Sequence, residues 1–130
     1  MSSELRVMYV DDEADIRTIV EFALEDEEGL TLMLCASGQA ALDSVAEFGP
    51  DLVLLDVMMP GMDGPTTLQR LREMSALAET PVVFVTAKVQ PHEVQHFKAL
   101  GAVDVIAKPF DPMSLAEQVR GAWERSSISV

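Results

Sequence analysis

The stretch Asp51-Leu52-Val53-Leu54-Leu55-Asp56-Val57-Met58-Met59-Pro60-Gly61 sets the architecture of the chain. Four aliphatic residues, Leu52 to Leu55, run without a polar break and end in a carboxylate. A run this short, closed by Pro60-Gly61, predicts a strand buried on both faces. Asp56 stands where that strand leaves the core. A carboxylate there is costly unless something pairs with it. The rest of the chain has to supply the partner.

Upstream, Leu5-Arg-Val-Met-Tyr-Val10 is rich in β-formers and ends in Asp11-Asp12-Glu13. Ile16, Ile19, Val20, Ala23 and Leu24 follow at helical spacing. The acids from Asp11 to Asp15 favour initiation of that helix, and Gly29 stops it. Leu30 to Ala36 is the second strand. Ser37-Gly38 opens a helix with Ala41, Val45 and Phe48 inward, and Gly49-Pro50 ends it before the Asp56 strand. Beyond Pro60-Gly61-Met62-Asp63-Gly64, Pro65 suits the first position of a third helix, with Leu68 and Leu71 inward. Pro81 to Thr86 is a fourth apolar strand. Pro91 starts a fourth helix carrying Val94, Phe97 and Leu100, and Gly101 caps it. Val103 to Ala107 is a short fifth strand, broken by Lys108-Pro109. Asp111-Pro112 is expected to open the last helix, with Leu115, Val119 and Ala122 inward and Trp123 packing near them. Strands alternating with helices predict a parallel sheet covered on both faces, with right-handed crossovers.

The chain has 130 residues, 48% of them hydrophobic and 24% charged, which fits one globular domain with a full core. Its formal net charge of -13 argues against nucleic acid and against an anionic membrane, since both call for cationic faces. The acidity serves either solubility or a basic partner surface. Cys35 is the single cysteine and lies in an apolar run, so a buried hydrophobe is expected and a disulfide is not. No apolar stretch reaches spanning length and no signal-peptide pattern opens the chain, so a soluble cytoplasmic protein is expected.

The polar residues at the strand ends are the informative ones. The first strand delivers Asp11 and Asp12, the third Asp56, the fourth Thr86 and the fifth Lys108. In an open α/β sheet, ligands bind outside the carboxyl ends of the strands. Three carboxylates meeting there require a raised pKa or a cation. Oxygen ligands without His or Cys favour Mg²⁺. Lys108 can hold an anion as a point charge, and the Thr86 hydroxyl can donate to it. Together they form a phosphoryl-transfer site in which an Asp can be the nucleophile. Singly each has a plainer reading: helix-dipole acids, a loop cap, strand composition, a solvated surface charge. Four strand ends in this order favour the joint one.

On Val10-Asp11-Asp12-Glu13, Leu55-Asp56-Val57-Met58-Met59-Pro60-Gly61-Met62-Asp63-Gly64, Val85-Thr86-Ala87 and Ala107-Lys108-Pro109-Phe110, the chain resembles the receiver domains of two-component response regulators. The resemblance covers about Leu5 to Trp123. It implies a flavodoxin-like sheet of order 2-1-3-4-5 in a single receiver domain over residues 1–130, with a core from about 5 to 123. It implies that Asp56 is the phosphoacceptor. Mg²⁺ would be held by Asp12, Asp56 and the Met58 backbone carbonyl, with Asp11 acting through a metal-bound water. Thr86 and Ala87 would contact the phosphoryl group, and Lys108 would pair with it. A cis Lys108–Pro109 bond is also implied. The implied partners are a sensor histidine kinase or phosphotransfer protein and a downstream protein target, with a homodimer left open; neither nucleic acid nor membrane is expected. Whether an output domain accompanies the receiver is left open. The family's aromatic position on the fifth strand is Val105 here, and the two positions that tune phosphate lifetime are Met58 and Lys88.

Other classes remain open. An aspartate-nucleophile phosphatase needs a second Asp two residues past the first, where Met58 stands. A flavodoxin-like cofactor binder needs a phosphate loop where Asp11-Asp12-Glu13 would repel one. A receiver-like module that takes no phosphate would not need the full acid set. The expected role is a signalling switch rather than an enzyme, one that assists its own phosphorylation and slow dephosphorylation.

Overall fold

The computed structural model describes residues 4–128. Five parallel strands, β1 (Leu5–Val10), β2 (Leu30–Cys35), β3 (Leu52–Asp56), β4 (Val82–Thr86) and β5 (Asp104–Ala107), form one sheet of order β2-β1-β3-β4-β5. Helices α1 (Ala14–Leu24), α2 (Gly38–Phe48), α3 (Gly64–Arg72), α4 (Pro91–Ala99) and α5 (Leu115–Ile128) connect or follow them.

Alternation along the strands sorts the core into two layers. Met8, Val10, Val53, Leu55, Val82 and Phe84 face α2, α3 and α4, whose Ala41, Val45, Leu68, Leu71 and Phe97 are buried there. Val7, Tyr9, Leu52, Leu54, Val83, Val85 and Ile106 face α1 and α5, with Val20, Leu24, Leu115, Val119 and Ala122. Both sides of the sheet are therefore dry, which is why β3 and β4 read as unbroken apolar runs.

Helix starts follow local chemistry. The Ser37 hydroxyl accepts the Ala40 N–H at 3.0 Å, and Asp63 accepts the Thr66 N–H at 2.9 Å. Gly49, at φ 64°, turns the chain out of α2 in the left-handed region. Trp123 packs half-buried against the α1/α5 layer, as expected. Cys35 is buried, and burial pushes its thiol above the ordinary range.

The structure corrects several local expectations. The last helix begins at Leu115, not at Asp111-Pro112. Asp111 instead closes a turn, accepting the Met113 N–H on its side chain and the Ser114 N–H on its carbonyl, both at 3.0 Å. A 3-10 helix, Ser75–Leu77, adds an element that the sequence pattern does not predict. Arg72 holds that segment, donating to the carbonyls of Leu77 at 3.1 Å and Thr80 at 2.7 Å. Ile19 is 38% exposed and Leu100 43% exposed, so neither is a core residue. The buried stripe of α1 is narrower than its apolar spacing implies, and Leu100 is the C-cap of α4. Among the described residues no helix is long and apolar enough to cross a membrane.

Candidate functional site

Strand register builds the site. β1 and β3 are neighbours with Val10 opposite Leu55, so the next residues, Asp11 and Asp56, come to the sheet edge side by side. β4 and β5 pair with Thr86 opposite Ala107, which sets Lys108 one step beyond the end of β5. Its backbone N–H donates to the Thr86 carbonyl at 2.9 Å. The chain reverses direction across the sheet between β2 and β3, so β1 and β3 flank the switch point.

Lys108 joins the acids. Its Nζ lies 2.8 Å from Asp11 Oδ2, 3.1 Å from Asp56 Oδ1 and 3.6 Å from Glu13 Oε1. Burial pulls its pKa down, but hydrogen bonds to Asp11 and Asp56 outweigh that, and the ammonium is held above its ordinary value. The Lys108–Pro109 bond is cis, as expected.

Asp56 is buried, 4% exposed. Its pKa rises from 3.8 to about 6. Burial is the main cause; Lys108 opposes it, and Asp11 and Asp12 add to it. Asp11 is fully buried, whereas Asp12 is exposed. One carboxylate oxygen from each of Asp11, Asp12 and Asp56 lies within 4.8 Å of the others. Oxygen-only donors, a three-carboxylate cluster and an acid whose charge the fold penalises together fit a hard divalent cation such as Mg²⁺.

Thr86 is buried at the end of β4, and its Oγ1 accepts the Lys88 N–H at 3.0 Å. Ala87 follows it and is exposed. Met58 is 67% exposed on the loop after β3. Val105 is half-buried on β5 against the α2–α4 layer. Thus Asp11, Asp12, Asp56 and Lys108 form one cluster. Thr86 stands one residue past the β4 partner of Asp56, with Ala87 beside it.

Three residues have roles that the sequence pattern does not show. The buried Tyr9 hydroxyl donates to Asp11 Oδ2 at 2.9 Å. Burial and the adjacent Asp11 push that phenol far up, so it stays protonated. Arg17 donates to the Asp11 carbonyl at 2.8 Å. Gly64 brings the start of α3 against the sheet, its N–H donating to the Val57 carbonyl at 2.9 Å. A Cβ on Gly64 would lie 2.5 Å from the Asp56 carbonyl oxygen and 2.8 Å from Val57 Cα. Tyr9 was within reach of the strand rule, since residues two apart in a strand share a face.

The chain matches the response regulator receiver domain family over residues 7–120. It is 37% identical over 127 residues to the transcriptional regulatory protein ResD of Bacillus subtilis (strain 168), covering 97% of this chain and 51% of that protein. It is 38% identical over 121 residues to the DNA-binding response regulator MtrA of Mycobacterium tuberculosis (strain ATCC 25618 / H37Rv), covering 93% and 51%. The chain spans about half the length of these curated relatives. The chemotaxis response regulator CheY4 of Vibrio cholerae has a similar structure, with a TM-score of 0.84, 31% identity, and coverage of 92% of this chain and 99% of that one. The expectation that excluded nucleic acid is corrected here, because MtrA is named a DNA-binding response regulator. Net charge describes the surface of this stretch alone and carries no information about what else a protein of this family contacts.

Proposed function

The chain belongs to the response regulator receiver domain family, and from that premise we propose that it accepts a phosphoryl group on Asp56 and changes partner binding in response. The observation that carries this reading is the junction of Asp56, Asp11, Asp12 and Lys108 within a few ångströms at the switch point of the sheet. A receiver unit of residues 1–130, with its core from about 5 to 123, is part of the proposal.

In this reading a histidine kinase or phosphotransfer protein presents a phosphohistidine. An Asp56 carboxylate oxygen attacks the phosphorus, the P–N bond to the imidazole breaks, and an acyl phosphate forms on Asp56. Asp12, Asp56 and the Met58 carbonyl would hold Mg²⁺, with Asp11 reaching it through water; the ion would offset negative charge on the transferring oxygens. Lys108 is already at hydrogen-bond distance from Asp56 and shifts its contact to a phosphoryl oxygen. Thr86 releases the Lys88 amide and donates its hydroxyl to the same group, beside the exposed Ala87.

Phosphorylation adds roughly -1.5 to -2 charge near neutral pH. The β4–α4 connection, Ala87 to Gln90, is the exposed segment tied directly to Thr86 through Lys88, so the movement is expected to spread there. Val105 has no ring to swing, and the readout rests on backbone and α4. The whole protein's output is read as control of transcription, following relatives named for it, and DNA is kept among the partners such an output contacts. The compartment is read as the cytoplasm. Slow loss of the phosphate by the domain's own chemistry is the remaining activity proposed.

The direct test is incubation with acetyl phosphate, followed by intact mass. Wild type with Mg²⁺ is expected to gain one phosphoryl group, little without Mg²⁺, and Asp56→Asn none. Equal labelling of the Asn variant would move the acceptor elsewhere.

A further inference from the structure

We propose that Tyr9 is a positioning residue of the acid site, a fixed donor that holds Asp11 from the core and so keeps its carboxylate oriented toward a bound cation. The inference rests on the receiver reading of the site.

Asp11 is fully buried, and its carboxylate receives three donors from three separate stretches of the chain. The Tyr9 hydroxyl rises from β1 to Oδ2 at 2.9 Å. Lys108 Nζ, beyond β5, reaches the same oxygen at 2.8 Å. The Glu13 N–H, ahead of α1, meets Oδ1 at 3.0 Å. An ionised carboxylate has about four acceptor positions, so one remains for a further donor such as a water on a bound cation.

These donors are not equally free to move. Lys108 divides its charge among Asp11, Asp56 and Glu13 and sits on a flexible stem. Its departure toward a phosphoryl group would leave buried Asp11 with one amide and whatever else holds it. An under-bonded buried carboxylate is costly and free to turn. Tyr9 cannot follow Lys108. Its ring is fully buried in the layer that includes Val20, Leu24, Leu54 and Leu115. The phenol therefore stays as a fixed donor while the ammonium travels.

A merely structural tyrosine would only need its hydroxyl satisfied. A positioning role makes the hydroxyl matter to the cation through Asp11 and through no other residue. Tyr9→Phe keeps the ring and removes the donor. Isothermal titration of the metal-free protein with Mg²⁺ is expected to show roughly threefold to tenfold weaker binding in the Phe variant. That is less than the roughly 10–100-fold typical of losing a group that directly orients a ligand, because Asp11 keeps two other donors. In an Asp11→Ala background the same change is expected to move the dissociation constant by less than about twofold, because the residue it acts through is gone. The Lys108 ammonium signal in the NMR spectrum of metal-free protein is expected to shift in Tyr9→Phe, since one of the two donors on Asp11 Oδ2 is lost. Unchanged Mg²⁺ affinity in Tyr9→Phe, or an equal loss with and without Asp11, overturns the inference. Wild-type protein that fails to bind Mg²⁺ at all would instead sink the receiver-site reading, and the inference with it.

Discussion

Asp11 and Asp56, side by side at the ends of adjacent strands, share one ammonium: Lys108 Nζ lies 2.8 Å from the first and 3.1 Å from the second. One positive charge faces two buried carboxylates, with Asp12 and Glu13 close by. The site is short of positive charge, and the responses to pH, metal and phosphate expected of it follow from that imbalance and from the packing that enforces it.

Asp56 gives stability a pH dependence of definite sign. Its folded pKa, about 6, exceeds the ordinary 3.8 because burial opposes the charged form. Its contribution is therefore fully present below about pH 4 and is lost as pH rises through 6. Relative to Asp56→Asn, metal-free wild type is expected to lose up to about 3 kcal/mol between about pH 4 and pH 7.5, since each tenfold change in proton affinity is worth about 1.4 kcal/mol. Referencing to the Asn variant removes the general repulsion of a chain of charge -13. Saturating Mg²⁺ at about pH 7.5 is expected to raise Tm in wild type more than in Asp56→Asn. A difference between the two proteins that is flat with pH, followed by thermal melts, would show that the fold does not penalise the Asp56 charge.

Gly64→Ala tests the packing behind Asp56. Alanine would ordinarily stabilise a helix relative to glycine. Here the new methyl would meet backbone, the Asp56 carbonyl at 2.5 Å and Val57 Cα at 2.8 Å, and backbone has little room to yield. A loss of about 1–3 kcal/mol is expected, the usual scale of overpacking, together with slower labelling of Asp56. A variant as stable as wild type in urea would mean that α3 is not pressed against the end of β3.

Met58 and Lys88 are expected to set the phosphate lifetime. Met58 is exposed two residues past Asp56 and offers no hydrogen bond to steer a water. Lys88 is exposed two past Thr86 and has no acceptor. The Met58→Asn, Lys88→Glu double variant is expected to lose its phosphate at least about tenfold faster, since a group that orients water contributes on the scale of acid–base assistance. Decay of radiolabelled protein at an equal or slower rate in the double variant would place control of hydrolysis elsewhere.

Much of this is legible in the sequence, for a physical reason. In a sheet covered on both faces the strands are apolar runs, and a polar residue closing such a run has few other places to be than the ligand edge. Asp11, Asp56, Thr86 and Lys108 each stand out that way; the parallel sheet follows from the alternation of strands and helices, and its order 2-1-3-4-5 from the resemblance to receiver domains. Tyr9 does not stand out, because its ring satisfies the apolar pattern of β1 and conceals the hydroxyl. Asp111-Pro112 resembles a helix start because a turn and an N-cap use the same side-chain acceptor. The 3-10 helix at Ser75–Leu77 has no periodicity to read, since the Arg72 side chain holds it from outside. The inference from charge to partners fails for another reason: charge reports on the stretch that bears it.

The acyl phosphate proposed for Asp56 can be read chemically, residue by residue. Protein treated with acetyl phosphate and Mg²⁺ is reduced with borohydride, which converts an aspartyl phosphate to homoserine, and is then digested and sequenced by mass spectrometry. Homoserine is expected in place of Asp56 alone, and only when Mg²⁺ is present. Homoserine in place of Asp11 or Asp12, or none in a protein that has taken up phosphate, would mean that Asp56 is not the acceptor.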